Sequence, residues 1–171
     1  MTVAAHIFSR ALSVTAIAGV ALFAMPAFAA DKLMVTETVQ LNAAPAKVWD
    51  AVKDFDKWSA WHPAVASTKI TTGGANAAGT VRVLSLNGGG EVNETLTKFD
   101  AGTMSYAYVI NSSPLPVDHY ASTIVVTKSG DGSLVTWTSS FDAKGAPDAD
   151  AKKVIGGVYR LGLDNLKKMM P

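Results

Sequence analysis

The stretch AAPAKVWDAVKDFDKWSAWHP, residues 43–63, decides the fold because it joins a helix start to most of the tryptophan in the chain. Asn42 can cap a helix, and Pro45 suits a first helical turn, where its missing N–H costs nothing. The apolar residues that follow recur at helical spacing, and Pro63 disfavours helix in the residue before it. Three of the four tryptophans lie in this stretch. So much aromatic surface predicts a large concave partner, which we expect to be a curved sheet.

The remaining sequence predicts strands followed by one long helix. Leu33 to Leu41 alternates apolar and polar residues, which is typical of a strand with one solvent-exposed face. Glycine-containing turns separate most of the other predicted strands, which are Val65 to Thr72, Thr80 to Leu86, Glu91 to Phe99, Thr103 to Ile110, Asp118 to Lys128 and Leu134 to Phe141. The sequence therefore predicts an α+β fold, in which a curved antiparallel sheet of about seven strands wraps on a long C-terminal helix, with a short helical pair after strand 1.

The last predicted helix runs from about residue 145 to Met169. Its predicted buried stripe follows three-four spacing and consists of Val154, Val158, Leu161, Leu166 and Met169. Gly156 and Gly157 interrupt this helix, and each costs about 1 kcal/mol relative to alanine. We interpret the pair either as a kink or close contact with the sheet, or as room for a ligand beneath the helix.

The N-terminal segment differs in composition from the rest of the chain. Arg10 precedes an uninterrupted run of apolar and small residues from Ala11 to Met25, and a small-x-small cleavage site, Ala27-Phe28-Ala29, follows. This pattern is typical of a signal peptide, and the apolar run is shorter than a membrane anchor requires. We predict a signal peptide over residues 1–29 and a single domain over residues 30–171. The mature protein would be periplasmic or secreted, with no stable membrane anchor after cleavage.

Composition and motifs argue against several classes of function. Without Arg10 the numbers of basic and acidic residues are equal, and no basic patch with interleaved aromatic residues is visible, which argues against a nucleic-acid partner. The chain has no cysteine, so it forms neither disulfides nor thiolate metal sites. No His/Asp/Glu cluster has metal-ligand spacing, and neither a nucleophile elbow nor a phosphate-binding glycine loop is present. We therefore expect no metal and no cofactor.

Strand parity predicts an Arg and a Glu side by side on the concave face. A loop from Asn87 to Gly89 between the third and fourth strands would set Leu84 opposite Val92. The same register sets Arg82 opposite Glu94. A buried charge requires a partner, and Arg offers a planar fork of donors to such a partner. We interpret the pair as a structural ion pair, as a polar anchor for an otherwise apolar ligand, or as an acid–base pair.

Aromatic residues on the same face are further candidates. A tyrosine hydroxyl needs a partner when buried. Tyr106, Tyr108 and Tyr120 are therefore better candidates for a pocket than for a plain apolar core. Trp137 fits a plain core as well as a pocket, a lone His62 is usually structural, and we expect an exposed side chain at residue 119. The complete set of candidate ligand-binding residues is Trp61, His62, Arg82, Glu94, Tyr106, Tyr108, Tyr120, Trp137 and Val158.

The chain after about Asp31 resembles the START-like (SRPBCC) superfamily. The resemblance is carried by Pro-x-x-Val-Trp, Asp-Phe-x-x-Trp and Trp-His-Pro, in that order after a first strand. This superfamily includes polyketide cyclase/dehydrase and lipid-transport proteins, Bet v 1-like allergens and lachrymatory-factor synthases. The resemblance implies a helix-grip fold with a ligand cavity between the sheet and the last helix.

The segments GTVRVL, NETLTKFD and SPLPVDHYASTIVV resemble the lachrymatory-factor synthase branch and its bacterial relatives. In that branch an Arg, a Glu and a Tyr rearrange a small sulfenic acid, which implies Arg82, Glu94 and Tyr120 as catalytic candidates. The predicted signal peptide, the length and the fold also resemble the methanol-oxidation accessory protein, which implies a periplasmic redox enzyme as partner. We favour binding of a small hydrophobic molecule; the alternatives are a cofactor-free cyclase, isomerase or lyase, and a dehydrogenase accessory protein.

Overall fold

The computed structural model describes residues 32–74 and 76–170, so the predicted signal peptide and the predicted boundary at residue 30 lie outside it. The elements are β1 (Leu33–Leu41), α1 (Pro45–Val52), a short 3-10 helix (Trp58–Ala60), β2 (Val65–Thr72), β3 (Val81–Leu86), β4 (Glu91–Asp100), β5 (Ser105–Ser112), β6 (Val117–Ser129), β7 (Gly132–Ala143) and α2 (Asp148–Met169). The strands form one seven-stranded sheet in the order β1-β7-β6-β5-β4-β3-β2, and every neighbouring pair is antiparallel. The predicted helix-grip α+β fold is confirmed. Across the described residues, neither helix is long and apolar enough to cross a membrane.

The β3–β4 hairpin has the predicted register. Arg82 pairs with Glu94, and Leu84 pairs with Val92. The Leu86 N–H donates to the Gly90 carbonyl oxygen at 3.1 Å, which closes the loop where expected. Gly90 has a φ of +87°, a conformation that glycine adopts without steric cost.

The start of α1 differs from the prediction. The residue before the helix is Ala44, and no side chain makes a capping hydrogen bond there, so the predicted cap at Asn42 is wrong. Pro45 does occupy the first turn. Its fixed φ favours the helical conformation without a side-chain cap.

A β-bulge in β6 directs Tyr120 towards the core. The pairing with β7 shifts between Asp118 and Ala121, and His119 has a φ of +47°. Both Asp118 and His119 are exposed, whereas Tyr120 is buried. A bulge adds one residue to a strand and thereby re-aims the side chains beyond it. The exposed position expected for residue 119 is confirmed.

The predicted buried stripe of α2 is wrong in phase. Val154, Leu161 and Met169 are 41%, 46% and 46% exposed, and Val158 is half-buried. The residues of α2 that are buried are Ala151, Ile155, Tyr159, Gly162, Leu163 and Leu166. This face includes an alanine, a glycine and a tyrosine, so a stripe chosen by its aliphatic residues falls mostly on a neighbouring face.

The close contact of α2 lies at Gly162. A Cβ atom there would lie 2.6 Å from His62 Cδ2 and 2.9 Å from Trp61 Cζ3, so only glycine lets the helix rest on these rings. By contrast, a Cβ atom on Gly156 would be at an ordinary 3.6 Å from its nearest neighbour, and one on Gly157 would meet open space. Neither glycine lines the cavity described below, so neither a close contact nor room for a ligand is supported at this pair, and a kink there stays a prediction.

Candidate functional site

A cavity of about 80 Å³ lies between the concave face of the sheet and α2. Its buried wall is largely aromatic and includes Trp58, His62, Tyr108, Tyr120, Trp137 and Tyr159. Its rim consists of half-buried apolar residues, namely Ala64, Leu86, Ile110, Leu115 and Val158. Pockets for drug-sized ligands typically measure roughly 300–1,000 Å³. The cavity therefore suits a molecule of few heavy atoms unless its walls move.

Arg82 and Glu94 form a buried ion pair beside this cavity. Arg82 Nε donates to Glu94 Oε2 at 2.7 Å, and Nη2 lies 2.6 Å from the same oxygen without hydrogen-bond geometry. Nη1 donates to the Phe55 carbonyl oxygen at 2.8 Å. The guanidinium carbon lies 3.7 Å from the ring centroid of Phe55 and 3.8 Å from that of Trp58. The segment of residues 43–63 thus supplies the two rings, those of Phe55 and Trp58, that cover the charge of Arg82.

Glu94 presents a free acceptor at this site. Its side chain lines the cavity and is 4% exposed. Arg82 binds Oε2, whereas Oε1 accepts no hydrogen bond from the residues that the structure describes. Burial raises the pKa of Glu94, and the charge and hydrogen bond of Arg82 offset only part of that shift. A carboxyl group in this state can accept a hydrogen bond or take up a proton.

A second polar group, which we call the hydroxyl cluster, consists of four wall residues, Tyr108, Tyr120, Trp137 and Tyr159, together with Ser122, which does not line the cavity. The hydroxyl groups of Tyr120 and Tyr159 hydrogen-bond to each other. The indole N–H of Trp137 lies 3.0 Å from the hydroxyl oxygens of both Tyr108 and Ser122. Burial raises the pKa of all three tyrosines well above the usual value, so their hydroxyl groups are neutral.

Tyr159 is the site residue that sequence reasoning missed. Its ring stacks on Trp137 with a centroid distance of 4.1 Å and an interplanar angle of 13°. It lies four residues after Ile155 and four before Leu163, both of which are buried. A stripe that counted tyrosine and alanine as buried residues would have included it.

His62 connects the aromatic wall to α2. Its ring is parallel to that of Trp58, with centroids 5.8 Å apart. Nε2 lies 3.1 Å from the Val158 carbonyl oxygen, and the Ala64 N–H donates to Nδ1 at 3.3 Å. This pattern requires the neutral tautomer with its proton on Nε2. Burial lowers the pKa of His62 to about 4, which agrees with a neutral ring.

Some of the predicted ligand-binding residues line the cavity, and others do not. Those that line the cavity are His62, Glu94, Tyr108, Tyr120, Trp137 and Val158. Arg82 reaches it only through Glu94. The Tyr106 hydroxyl accepts the Trp58 indole N–H at 3.0 Å. Trp61 is buried under α2, and its indole N–H finds no acceptor in the described part of the chain.

The catalytic candidates are divided in the same way. Glu94 and Tyr120 line the cavity, whereas Arg82 does not. Within residues 32–74 and 76–170, no group of His, Asp and Glu side chains is arranged to hold a metal ion. Glu94 and the tyrosines offer proton transfer and hydrogen bonding at the cavity.

Comparison with known proteins gives consistent matches to one fold. A model of the family described as polyketide cyclase / dehydrase and lipid transport matches residues 32–170. The solved structure of protein XoxI from Bacillus cereus is 29% identical with a TM-score of 0.75, over 80% of this chain and 94% of that one. A protein from Thermobifida fusca is 27% identical with a TM-score of 0.72, over 80% and 91% of the two chains. Ara h 8.0201, at 19% identity and a TM-score of 0.68 over 81% and 97%, shows the fold alone. No curated protein sequence matched the chain.

Proposed function

Because the chain belongs to the polyketide cyclase / dehydrase and lipid-transport family, we propose that it binds a small, largely hydrophobic molecule in the cavity between the sheet and α2. The observation that carries this proposal is the free Oε1 of Glu94 in an otherwise apolar wall. This oxygen faces the cavity, so a ligand O–H or N–H group could donate to it, and a hydrogen bond of this kind typically contributes about 0.5–1.5 kcal/mol. The ligand would thus have one polar end and an apolar body.

The cavity volume and wall support a ligand of modest size. Burial of apolar surface stabilises a complex by about 0.8 kcal/mol per methylene group. The aromatic wall and the apolar rim offer that burial on most sides of the cavity. Affinity would therefore come from the apolar body, and orientation from the hydrogen bond to Glu94.

Binding can be tested on the native and the recombinant protein. Native mass spectrometry of protein from its source should show a bound small molecule, and calorimetry should then give its affinity for the purified protein. In protein that circular dichroism shows to be folded without its ion pair, Glu94→Gln should weaken that binding about tenfold, because a hydrogen bond to a carboxylate is replaced by one to an amide. Glu91→Gln, an exposed position on the same strand, is the matched control and should bind normally. An empty protein that also binds nothing in a panel of small apolar molecules would refute the proposal.

The predicted signal peptide would set the compartment of the proposed ligand. We propose cleavage after Ala29 and delivery to the periplasm or the medium, on the pattern of residues 1–29 alone. Cell fractionation and N-terminal sequencing of the mature protein test this. A cytoplasmic protein with an intact N-terminus would contradict it.

A cofactor-free cyclase, isomerase or lyase is a second candidate, favoured by the raised pKa of Glu94. Glu94 would move a proton, Tyr120 would hydrogen-bond the substrate, and Arg82 would hold Glu94 in place and stabilise negative charge. Incubation of the identified ligand with the protein should return a chemically changed product. Glu94→Gln should abolish this turnover and Glu91→Gln should preserve it, whereas an unchanged ligand would leave binding as the function.

An accessory role with a periplasmic redox enzyme is a third candidate. It is favoured by the resemblance to the methanol-oxidation accessory protein and by 29% identity to protein XoxI. Capture of a dehydrogenase from periplasm by the tagged protein would support this role. Since this role acts through the surface, Glu94→Gln protein that circular dichroism shows to be folded should capture the same enzyme, and loss of capture by that folded variant would contradict it.

A further inference from the structure

Leu115 closes the rim of the cavity from a loop. It lies between β5 and β6, and its half-buried side chain lines the cavity. The other rim residues with large side chains lie in strands or in α2, and they are Leu86, Ile110 and Val158. Leu115 is therefore the rim residue with a large side chain that lines the cavity from outside the sheet and helices.

The backbone on both sides of Leu115 is constrained. Pro114 and Pro116 each have a fixed φ, and a residue before proline is restricted to extended conformations. The Leu115 N–H donates to Ser113 Oγ at 3.2 Å, and its carbonyl oxygen accepts the Val117 N–H at 2.8 Å. Both backbone polar groups of Leu115 are thus engaged within the loop.

The loop is also packed against the β3–β4 hairpin. A Cβ atom on Gly90 would lie 3.4 Å from Pro114 Cγ, so the hairpin leaves just enough space for the proline ring. These contacts and the two prolines restrict the conformations of the loop. Truncation of the Leu115 side chain should therefore lengthen the cavity without displacing the loop.

We infer that Leu115 determines specificity by setting an upper limit on the length of the apolar part of the ligand. This inference rests on the proposed function, because it requires a ligand anchored at Glu94 with its apolar body towards the rim. Glu94 is almost fully buried, whereas the rim residues are half-buried. A chain that starts at the carboxyl group and extends towards solvent would meet Leu115 or a neighbouring rim residue.

Straight-chain primary alcohols of increasing length provide the test, with binding measured by calorimetry and by the fluorescence of the wall tryptophans. In the wild-type protein the affinity should rise about fourfold per methylene group up to one chain length and then fall. Leu115→Ala should move this maximum to longer alcohols, and Leu115→Phe should move it to shorter ones. Leu134→Ala is the matched control, because Leu134 is half-buried and does not line the cavity.

The outcomes separate this inference from the proposed function. An identical maximum in the wild-type protein, Leu115→Ala and Leu115→Phe would overturn the length limit and leave ligand binding intact. An equal shift in Leu134→Ala would also overturn it, since the effect would then not depend on the rim. No binding of any alcohol by the wild-type protein would overturn the proposed function and the length limit together.

Discussion

The ion pair of Arg82 and Glu94 and the hydroxyl cluster lie beside the same cavity, but they bury polar groups by opposite means. The ion pair places two opposite charges side by side, and the rings of Phe55 and Trp58 cover the guanidinium group. The hydroxyl cluster contains no charge and shares each hydrogen bond among neutral groups on β5, β6, β7 and α2. The comparison teaches that a charged pair depends on both members, whereas a neutral cluster can lose one member at smaller cost.

The largest expected effect comes from breaking the ion pair. Arg82→Met leaves Glu94 buried without its partner, and we expect a loss of about 3–5 kcal/mol in the free energy of unfolding. Replacement of both residues, as Arg82→Met with Glu94→Leu, should restore much of that loss because no buried charge remains. Urea unfolding measures both variants. A double variant less stable than the single one would show that the pair itself stabilises the fold.

His62 connects the two regions, because it stacks on Trp58 and hydrogen-bonds to α2. Burial lowers its pKa from 6.5 to about 4, so the unfolded chain binds a proton that the folded protein does not. Stability should therefore fall as the pH is lowered from about 6.5 to about 4, by at most roughly 3 kcal/mol from this residue. In His62→Gln, whose amide can still donate to the Val158 carbonyl, unfolding curves should lose this part of the pH dependence. An unchanged pH profile would contradict the neutral assignment.

A smaller effect on the free energy of unfolding is expected where α2 contacts His62 and Trp61. A control substitution on the same helix should change this free energy in the opposite direction. Gly162→Ala places a methyl group 2.6 Å from His62 Cδ2, and such overpacking typically costs about 1–3 kcal/mol. Gly157→Ala lies in open space on the same helix, so it should stabilise the protein by about 1 kcal/mol. Chemical unfolding of both variants tests this. Equal effects would mean that α2 does not rest on these rings.

The smallest effect is expected within the hydroxyl cluster. Tyr159→Phe removes the neutral hydrogen bonds to Tyr120 and Ser122 and keeps the stacking on Trp137, so we expect a loss of about 1 kcal/mol. Tyr120→Phe removes the first of these hydrogen bonds from the other side, and the double variant should cost less than the sum of the single changes. A thermodynamic cycle from urea unfolding measures this coupling. A loss as large as that of Arg82→Met would contradict the contrast between the two regions.

The ion pair could be predicted because strand pairing leaves few choices. Once a short glycine loop joins β3 and β4, the period of two places Arg82 beside Glu94 on one face. Tyr159 was missed because a stripe built on valine, leucine and methionine falls on a neighbouring face, whereas the buried face of α2 includes alanine, glycine and tyrosine. How closely α2 approaches His62 and Trp61 depends on Gly162. The cavity volume depends on this distance and could therefore not be predicted from the sequence. The bulge at His119 likewise depends on a backbone conformation that residue type alone does not specify.

The sheet order has a consequence for how the protein is made. β1 and β2 are joined through α1 and the short 3-10 helix, yet they form opposite edges of the sheet, and β1 pairs with β7. During synthesis β1 therefore cannot form its native pairing until β7, near the end of the chain, has been synthesised. A nascent chain that ends before β7 has no native partner for β1, and such distant pairing makes folding slow. The complete sheet of this protein therefore forms only after nearly the whole chain has been synthesised.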